Sequence, residues 1–225
     1  MHLPPPEPNV PKTAWFLGLD LAQRRDFTAL ATLELRWTVA GSDFAAWQPE
    51  WPPSLIIRSL DRYELAQSYT TYQDAVEDRV ATVRAYDATS KIHLALDAAG
   101  PGAPIVDDLR SSSIDASVHP ITITGGAHPT HSTHGANIPR RALVSRALLL
   151  MERGTLQVQP GVRNWPELCE ELLRLRAGDT HSKAHDDLAI ALTLAAWQAA
   201  THSPEILPKR TARPRTVSAG TRRLL

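Results

Sequence analysis

Apolar residues along the chain form short runs and longer periodic stretches, which predict a succession of strands and helices. Short apolar runs are typical of buried strands, and stretches with apolar residues at helical spacing are typical of helices that cover a core. Strands are predicted over residues 15–21, 28–37, 54–63, 91–97 and 116–124, with a brief extended piece at 156–158. Helices are predicted over residues 69–88, 104–111, 139–151, 165–176 and 185–200, and residues 41–53 and 125–137 are predicted to be loops.

The order of these elements predicts an α/β fold. Three strands follow one another, and the polar turn at residues 23–26 makes the second strand antiparallel to the first. Helix and strand then alternate, which favours a mixed sheet with helices on its faces. We expect one domain over residues 14–202, preceded by a flexible proline-rich arm over residues 1–13 and followed by a basic flexible tail over residues 203–225.

Length and composition are those of an ordinary globular protein. The chain has 225 residues, of which 43% are hydrophobic and 21% charged, enough for one α/β domain with a full core. No apolar run reaches the ~18–20 residues of a membrane span, and the N-terminus lacks the apolar segment of a secretory signal. The single cysteine, Cys169, excludes an intramolecular disulfide and fits a reducing cytoplasm.

Net charge does not predict a nucleic-acid partner, but the distribution of basic residues allows one. The formal net charge is +0, and arginines become frequent from Arg140 onward. Arg140 and Arg141 lie on or beside one predicted helix and could contact a DNA backbone, and Lys183 could orient a phosphate. The alternative is that all three are exposed residues that only favour solubility.

Four aspartates stand where buried elements begin or end. Asp20 lies in an apolar strand, Asp97 ends another, and Asp186 and Asp187 begin an apolar helix. An acid in a buried strand is costly unless it is paired or binds a cation. Carboxylate oxygens suit Mg²⁺, and two such ions can activate a water and stabilise a leaving oxygen of a phosphodiester. Taken singly, each acid could equally end a strand, form a turn or favour a helix start.

The order of these motifs resembles the nuclease domain of phage terminase large subunits, a group with the ribonuclease H-like fold. Five segments carry the resemblance and together span most of the predicted domain. They are Gly18–Asp20, Asp26–Ala29, the Gly-x-Gly turn within Leu96–Gly102, Pro139–Arg140, and His185–Ala189 with its two adjacent aspartates.

The resemblance implies a ribonuclease H-like, mixed five-stranded sheet flanked by helices, and an endonuclease that cuts double-stranded DNA with Mg²⁺ or Mn²⁺. The metal ligands, and hence catalytic residues, would be Asp20, Asp97 and Asp187, with Asp186 as the other candidate. The family also implies a phage or prophage protein in the bacterial cytoplasm. No Gly-x-x-x-x-Gly-Lys-[Ser/Thr] motif is present, so we expect any ATPase to be a separate terminase subunit.

Other functions remain open at the level of sequence. One fold serves several substrates, so a Holliday-junction resolvase-like or transposase-like nuclease is an alternative. A non-catalytic DNA-binding or assembly module is another, and an unrelated α/β domain with coincidental acids is a third. Three evenly spaced histidines, His128, His131 and His134, could form a transition-metal loop, a phosphate contact or simply a polar loop.

Overall fold

The structure is a computed structural model, and it describes residues 13–21, 27–37, 53–63, 69–99, 102–176 and 185–207. Several predictions concern residues outside these ranges. The segments in question are the arm up to residue 12, the turn at residues 22–26, most of the loop at residues 41–53, Lys183 and the tail from residue 208.

A single mixed sheet organises the described residues. Its strands are β1 (Thr13–Asp20), β2 (Thr28–Arg36), β3 (Ser54–Tyr63), β4 (Lys91–Asp97), β5 (Ser117–Thr124), β6 (Thr130–Ser132), β7 (Gly135–Pro139) and β8 (Leu156–Val158). In space their order is β6-β7-β5-β4-β1-β2-β3-β8. Strand β2 is antiparallel to both β1 and β3, whereas β4, β5, β7 and β8 are each parallel to the neighbour nearer β1. The predicted mixed sheet is therefore confirmed.

The predicted number of five strands is wrong, because the sheet has eight. Residues 125–137, predicted to be a loop, contain β6 and the start of β7, which pair with each other as a hairpin. The two outermost strands, β6 and β8, have only three residues each. A run of three residues is too short to show the alternation that marks a strand in sequence.

Five helices cover the sheet: α1 (Tyr69–Tyr86), α2 (Gly102–Ser111), α3 (Arg140–Glu152), α4 (Trp165–Arg176) and α5 (Asp187–His202). One core lies between β1–β3 and helices α3, α4 and α5, and a second lies between β1, β4 and helices α1 and α2. Both faces of the central strands are therefore covered, which explains their nearly continuous apolar sequences.

Helix α5 lies unusually close to the sheet because small residues meet at the contact. A Cβ atom on Gly18 of β1 would stand 2.0 Å from the carbonyl oxygen of Ala191 and 2.7 Å from the backbone nitrogen of Ala195. The helix backbone thus packs directly on the strand. From Asp187 to Ala200 every residue of α5 is buried, which accounts for its alanine-rich sequence.

The folded part extends past the predicted boundary at residue 202. Residues Pro204–Ile206 form a 3-10 turn, and Ile206 is buried in the core beside α5. The apolar side chain explains this extension, since it removes Ile206 from water. Among the described residues, no helix is both long and apolar enough to cross a membrane.

Candidate active site

The carboxyl ends of the parallel strands bring Asp20 and Asp97 together at one edge of the sheet. Leu19 pairs with Leu96 in the parallel ladder of β1 and β4, so the two aspartates that follow occupy neighbouring positions. Adjacent strands are about 4.8 Å apart. Residues in register point to the same face of a sheet, so both carboxylates project from the same side.

That side is the one covered by α5. Gly18, two residues before Asp20, contacts the backbone of α5, and Ala95, two residues before Asp97, packs in one cluster with Ile190. Side chains two residues apart on a strand share a face. Both aspartates therefore point toward the layer that contains α5.

Helix α5 runs antiparallel to β1, so it begins at the same edge. The ring of His202, at the end of α5, lies 6.1 Å from the ring of Phe16, whereas Ala191 lies over Gly18, further along the strand. Residues four apart share one side of a helix, so Asp187 continues the stripe formed by Ala191 and Ala195 toward Asp20. The sequence prediction that these elements lie near one another is consistent with this arrangement.

Asp97 has a defined and partly desolvated environment. Its Oδ1 accepts hydrogen bonds from the backbone N–H of Ala99 at 3.0 Å and of Ile123 at 3.4 Å. Burial raises the pKa of this carboxyl, while the two backbone hydrogen bonds oppose the rise. A bound cation would favour the ionised form, which burial disfavours.

Asp187 is held by an arginine that the sequence did not indicate. Nε of Arg62 lies 2.8 Å from Oδ2 of Asp187 and Nη2 lies 3.3 Å from Oδ1, so the contact is bidentate. The side chain of Asp187 is 1% exposed. Arg62 occupies the same row as Asp20, since Asp20 pairs with Ala29 and Ala29 pairs with Arg62. Ala29, which stands between them in this row, is fully buried.

Glu171 of α4 completes this buried network. It forms an ion pair with Nη2 of Arg62, and its Oε2 accepts a hydrogen bond from the backbone N–H of Ala189 at 2.8 Å. Burial raises the pKa of Glu171 to about 7, and the negative charge of Asp187 adds to the rise. Arg62 and Glu171 were not singled out in the sequence because no local pattern marks either of them as a partner of Asp187. Only the pairing of β3 and the packing of α4 bring them to Asp187.

The other predicted polar residues have separate partners. Asp186, the residue before α5, forms an ion pair with Arg140, the first residue of α3. Nη2 of Arg141 donates a hydrogen bond to the carbonyl oxygen of Ala127 at 3.0 Å. Arg140 stands at the carboxyl end of β7, on the edge that holds Asp20 and Asp97. Lys183 lies outside the described residues.

The acids share an edge and a face, but they are not grouped as tightly as ligands around one ion. Within the described part of the chain, three ligand atoms that all lie within 4.8 Å of one another belong to histidines, and no such trio of aspartate oxygens is found. Arg62 at Asp187 and Arg140 at Asp186 supply the positive charge near the start of α5. A metal ion bound there would therefore compete with at least one of these arginines.

Comparisons with known proteins were made for both sequence and structure. No protein-family model matches the chain, and no curated protein matches its sequence. Among solved structures, the chain is similar to the Mn-soaked human cytomegalovirus terminase nuclease domain, with a TM-score of 0.48 and 15% identity over 85% of this chain and 86% of that one. It is also similar to RuvC of Thermus thermophilus, with a TM-score of 0.37 and 12% identity over 85% of this chain and 96% of that one.

Proposed function

We propose that this chain is a metal-dependent nuclease that cuts double-stranded DNA in the manner of a terminase nuclease domain. The observation that carries the proposal is the placement of Asp20 and Asp97 side by side on the face covered by α5, with Asp187 on the stripe of α5 that continues toward Asp20. Acids from three separate elements thus lie toward one edge and one face of the sheet. A purely structural role for each would not require a common edge and face.

The donor chemistry fits Mg²⁺ or Mn²⁺. Asp20, Asp97 and Asp187 offer hard carboxylate oxygens, which these ions prefer. When bound, such ions would supply an activated water and neutralise charge on the phosphate. The raised pKa of Asp97 supports the fit, because a bound cation would stabilise the ionised form of a partly buried carboxylate.

The chain's own side chains would position the ion and the substrate. The two backbone N–H groups that reach Oδ1 of Asp97 fix the orientation of its carboxylate. Asp187 would exchange its contact with Arg62 for the ion, and Arg62 would then be held by Glu171. The neighbouring Asp186 precedes the helix, and its side chain is paired with Arg140. We therefore assign Asp187 as the ligand and Asp186 as the partner of Arg140.

Arg140 and Arg141 are proposed to contact the DNA backbone. Arg140 lies at the edge that holds the acids, and its side chain is 42% exposed while paired with Asp186. A phosphate that displaces Asp186 from Arg140 would gain a charge-assisted contact. Lys183 precedes α5 in the sequence and is proposed as a further phosphate contact. A separate ATPase subunit would supply the motor function of a terminase.

The proposal is tested by incubating the purified chain with supercoiled plasmid and Mn²⁺ or Mg²⁺. Asp97→Asn keeps the shape of the side chain but removes its charge, and Asp107→Asn, on the exposed face of α2, is the matched control. We expect metal-dependent nicking or linearisation by the native chain and by Asp107→Asn, and its loss in Asp97→Asn. Asp187→Asn should also lose activity. Asp186→Asn should retain cleavage but change the affinity for DNA, because Asp186 is the partner of Arg140.

A non-catalytic DNA-binding or assembly module is the second candidate. The bidentate contact between Arg62 and Asp187 favours it, because an arginine already neutralises the proposed ligand. DNA binding without cleavage by the native chain, with either ion, would support this module and contradict the nuclease. Preferential cleavage of four-way junctions over plasmid would instead indicate a resolvase-like substrate for the same site.

A further inference from the structure

Three histidines from three separate elements meet at the opposite edge of the sheet. His93 lies near the start of β4, His119 near the start of β5, and His202 ends α5. One ring nitrogen of each lies within 4.8 Å of the others. Since Asp187 and His202 are the first and last residues of α5, this cluster is separated from Asp187 by about 22 Å along the helix axis.

Two of the three histidines have a spacing that suits a single small ion. Nδ1 of His93 lies 3.1 Å from Nε2 of His119. Two nitrogens that bind one tetrahedral zinc ion at about 2.0–2.1 Å are about 3.3 Å apart. The ring centroids of His93 and His202 are 4.0 Å apart, so the third ring adjoins the same point.

The surroundings hold the rings in place. Phe16 stacks on His93 with ring centroids 5.1 Å apart and planes inclined by 12°. His93 is buried and His119 is half-buried, so the protein around them limits the movement of both rings. An imidazole binds a metal ion in its neutral form.

Gln198 orients the ring of His202. Nε2 of the buried Gln198 lies 3.0 Å from Nδ1 of His202, so the amide N–H donates a hydrogen bond to that nitrogen. Binding of a metal ion through Nε2 of His202 would require the amide to turn over, so that its oxygen accepts the N–H of Nδ1. The carbonyl end of α5 adds a negative potential that favours a cation.

We propose that His93, His119 and His202 form a second metal site, for a transition-metal ion such as Zn²⁺, that links the end of α5 to β4 and β5. Three neutral imidazoles suit Zn²⁺, Co²⁺ or Ni²⁺ and not Mg²⁺, which requires oxygen ligands. His202 is exposed, so water can complete a four-coordinate site. Lys91 and Arg110 lie near enough for their positive charges to oppose a cation, so the three nitrogen ligands would have to outweigh this repulsion.

This site is distinct from the proposed nuclease site and from the histidines that the sequence singled out. His131 and His134 are exposed in the β6–β7 hairpin and are not members of the cluster. An ion at the cluster would hold the last turn of α5 against the sheet. It would thereby stabilise the helix whose other end carries Asp187.

The test is direct metal binding by the untagged full chain. Co²⁺ is added while visible absorption is recorded, because tetrahedral coordination gives intense bands, and Zn²⁺ is then added as competitor. His202→Gln removes one ligand at an exposed position, and His119→Gln provides a second variant. His134→Gln is the matched control. The melting temperature of each variant without metal establishes that it is folded.

We expect one Co²⁺ per chain, displaced by Zn²⁺, for the native protein and His134→Gln. Loss of an outer partner of a metal ligand typically weakens affinity by about 10–100-fold, so His202→Gln should weaken it at least as much. A Zn²⁺-dependent rise in melting temperature should disappear in the same variant. The proposal is overturned if the native chain binds no Co²⁺, or if His202→Gln and His119→Gln bind it as the native chain does.

A further variant separates this site from the carboxylate edge. Asp20→Asn combined with Asp97→Asn should leave Co²⁺ binding unchanged, even though it is expected to abolish DNA cleavage. Loss of Co²⁺ binding in that variant would assign the ion to the acids and overturn the histidine site. If His93 and His119 form only a hydrogen-bonded pair, Zn²⁺ will not change the melting temperature of the native chain or of any variant. That result would also contradict the proposal.

Discussion

Replacing Arg62 by methionine should destabilise the protein strongly, because two buried acids depend on this one arginine. The side chains of Asp187 and Glu171 are 1% and 2% exposed, and both form ion pairs with Arg62. Methionine keeps most of the length of the side chain and removes its charge. Arg62→Met therefore leaves two adjacent carboxylates without their cation, and like charges in a buried site repel each other.

The magnitude follows from the burial of these groups. Removing one partner of a buried ion pair costs about 3–5 kcal/mol in the free energy of unfolding. Arg62 is itself 23% exposed, so water can partly replace it, and we expect a loss of about 3 kcal/mol near pH 8. The loss should be smaller at pH 5.5. In the native protein the pKa of Glu171 is about 7, above its ordinary value, so its folded state gains stability by protonation as the pH falls.

Urea unfolding at pH 8 and pH 5.5 measures both effects. Arg79→Met is the matched control, because Arg79 pairs with Asp61 at 2.7 Å and the two side chains are 25% and 32% exposed. A surface pair of this kind contributes about 0–1 kcal/mol. In Arg62→Met, adding Glu171→Gln should restore part of the stability at pH 8 and much less at pH 5.5.

The result that refutes this reasoning is a loss no larger than that of the control. If Arg62→Met and Arg79→Met unfold at similar urea concentrations at pH 8, Arg62 does not compensate the buried acids. A loss that is equal at both pH values would also contradict the role assigned to Glu171. The slopes of the transitions must match those of the native chain for the comparison to measure stability.

Two further changes test the packing around α5. Gly18→Ala should destabilise the protein by about 1–3 kcal/mol or more, since the new Cβ would lie 2.0 Å from the carbonyl oxygen of Ala191, and thermal unfolding checks it. Gly125→Ala, where no atom lies within 4 Å of the new Cβ, should melt within a few degrees of the native chain, and a larger change there would show that the comparison is not specific to α5. The guanidinium of Arg146 lies 3.5 Å from the ring centroid of Trp197. Arg146→Met removes this cation–π contact and should lower the free energy of unfolding by about 0.5–2 kcal/mol. Urea unfolding unchanged from the native chain would contradict this prediction.

The sequence by itself determined the long elements. The predicted bounds of β3 and β4 are those of the structure, and the first residues of α1 and α4 are also as predicted. Long apolar runs and helical periodicity record burial directly, because each side chain was selected for one face of its own element. The same patterns placed Asp20 and Asp97 at strand ends and Asp187 at the start of a helix.

The tertiary structure alone decided what lies beside these residues. Arg62 is 125 positions from Asp187 in the chain, and His93 is 26 positions from His119. Neither pairing leaves a local pattern, because the contact is created by strand order and helix packing and not by periodicity. The short strand β6 is hidden for a related reason: its three residues gain their strand conformation from the neighbouring strand that they pair with. The extended piece predicted at residues 156–158 is β8. The sequence therefore specified which acids begin or end the elements. The fold determined which arginines contact those acids and which histidines contact one another.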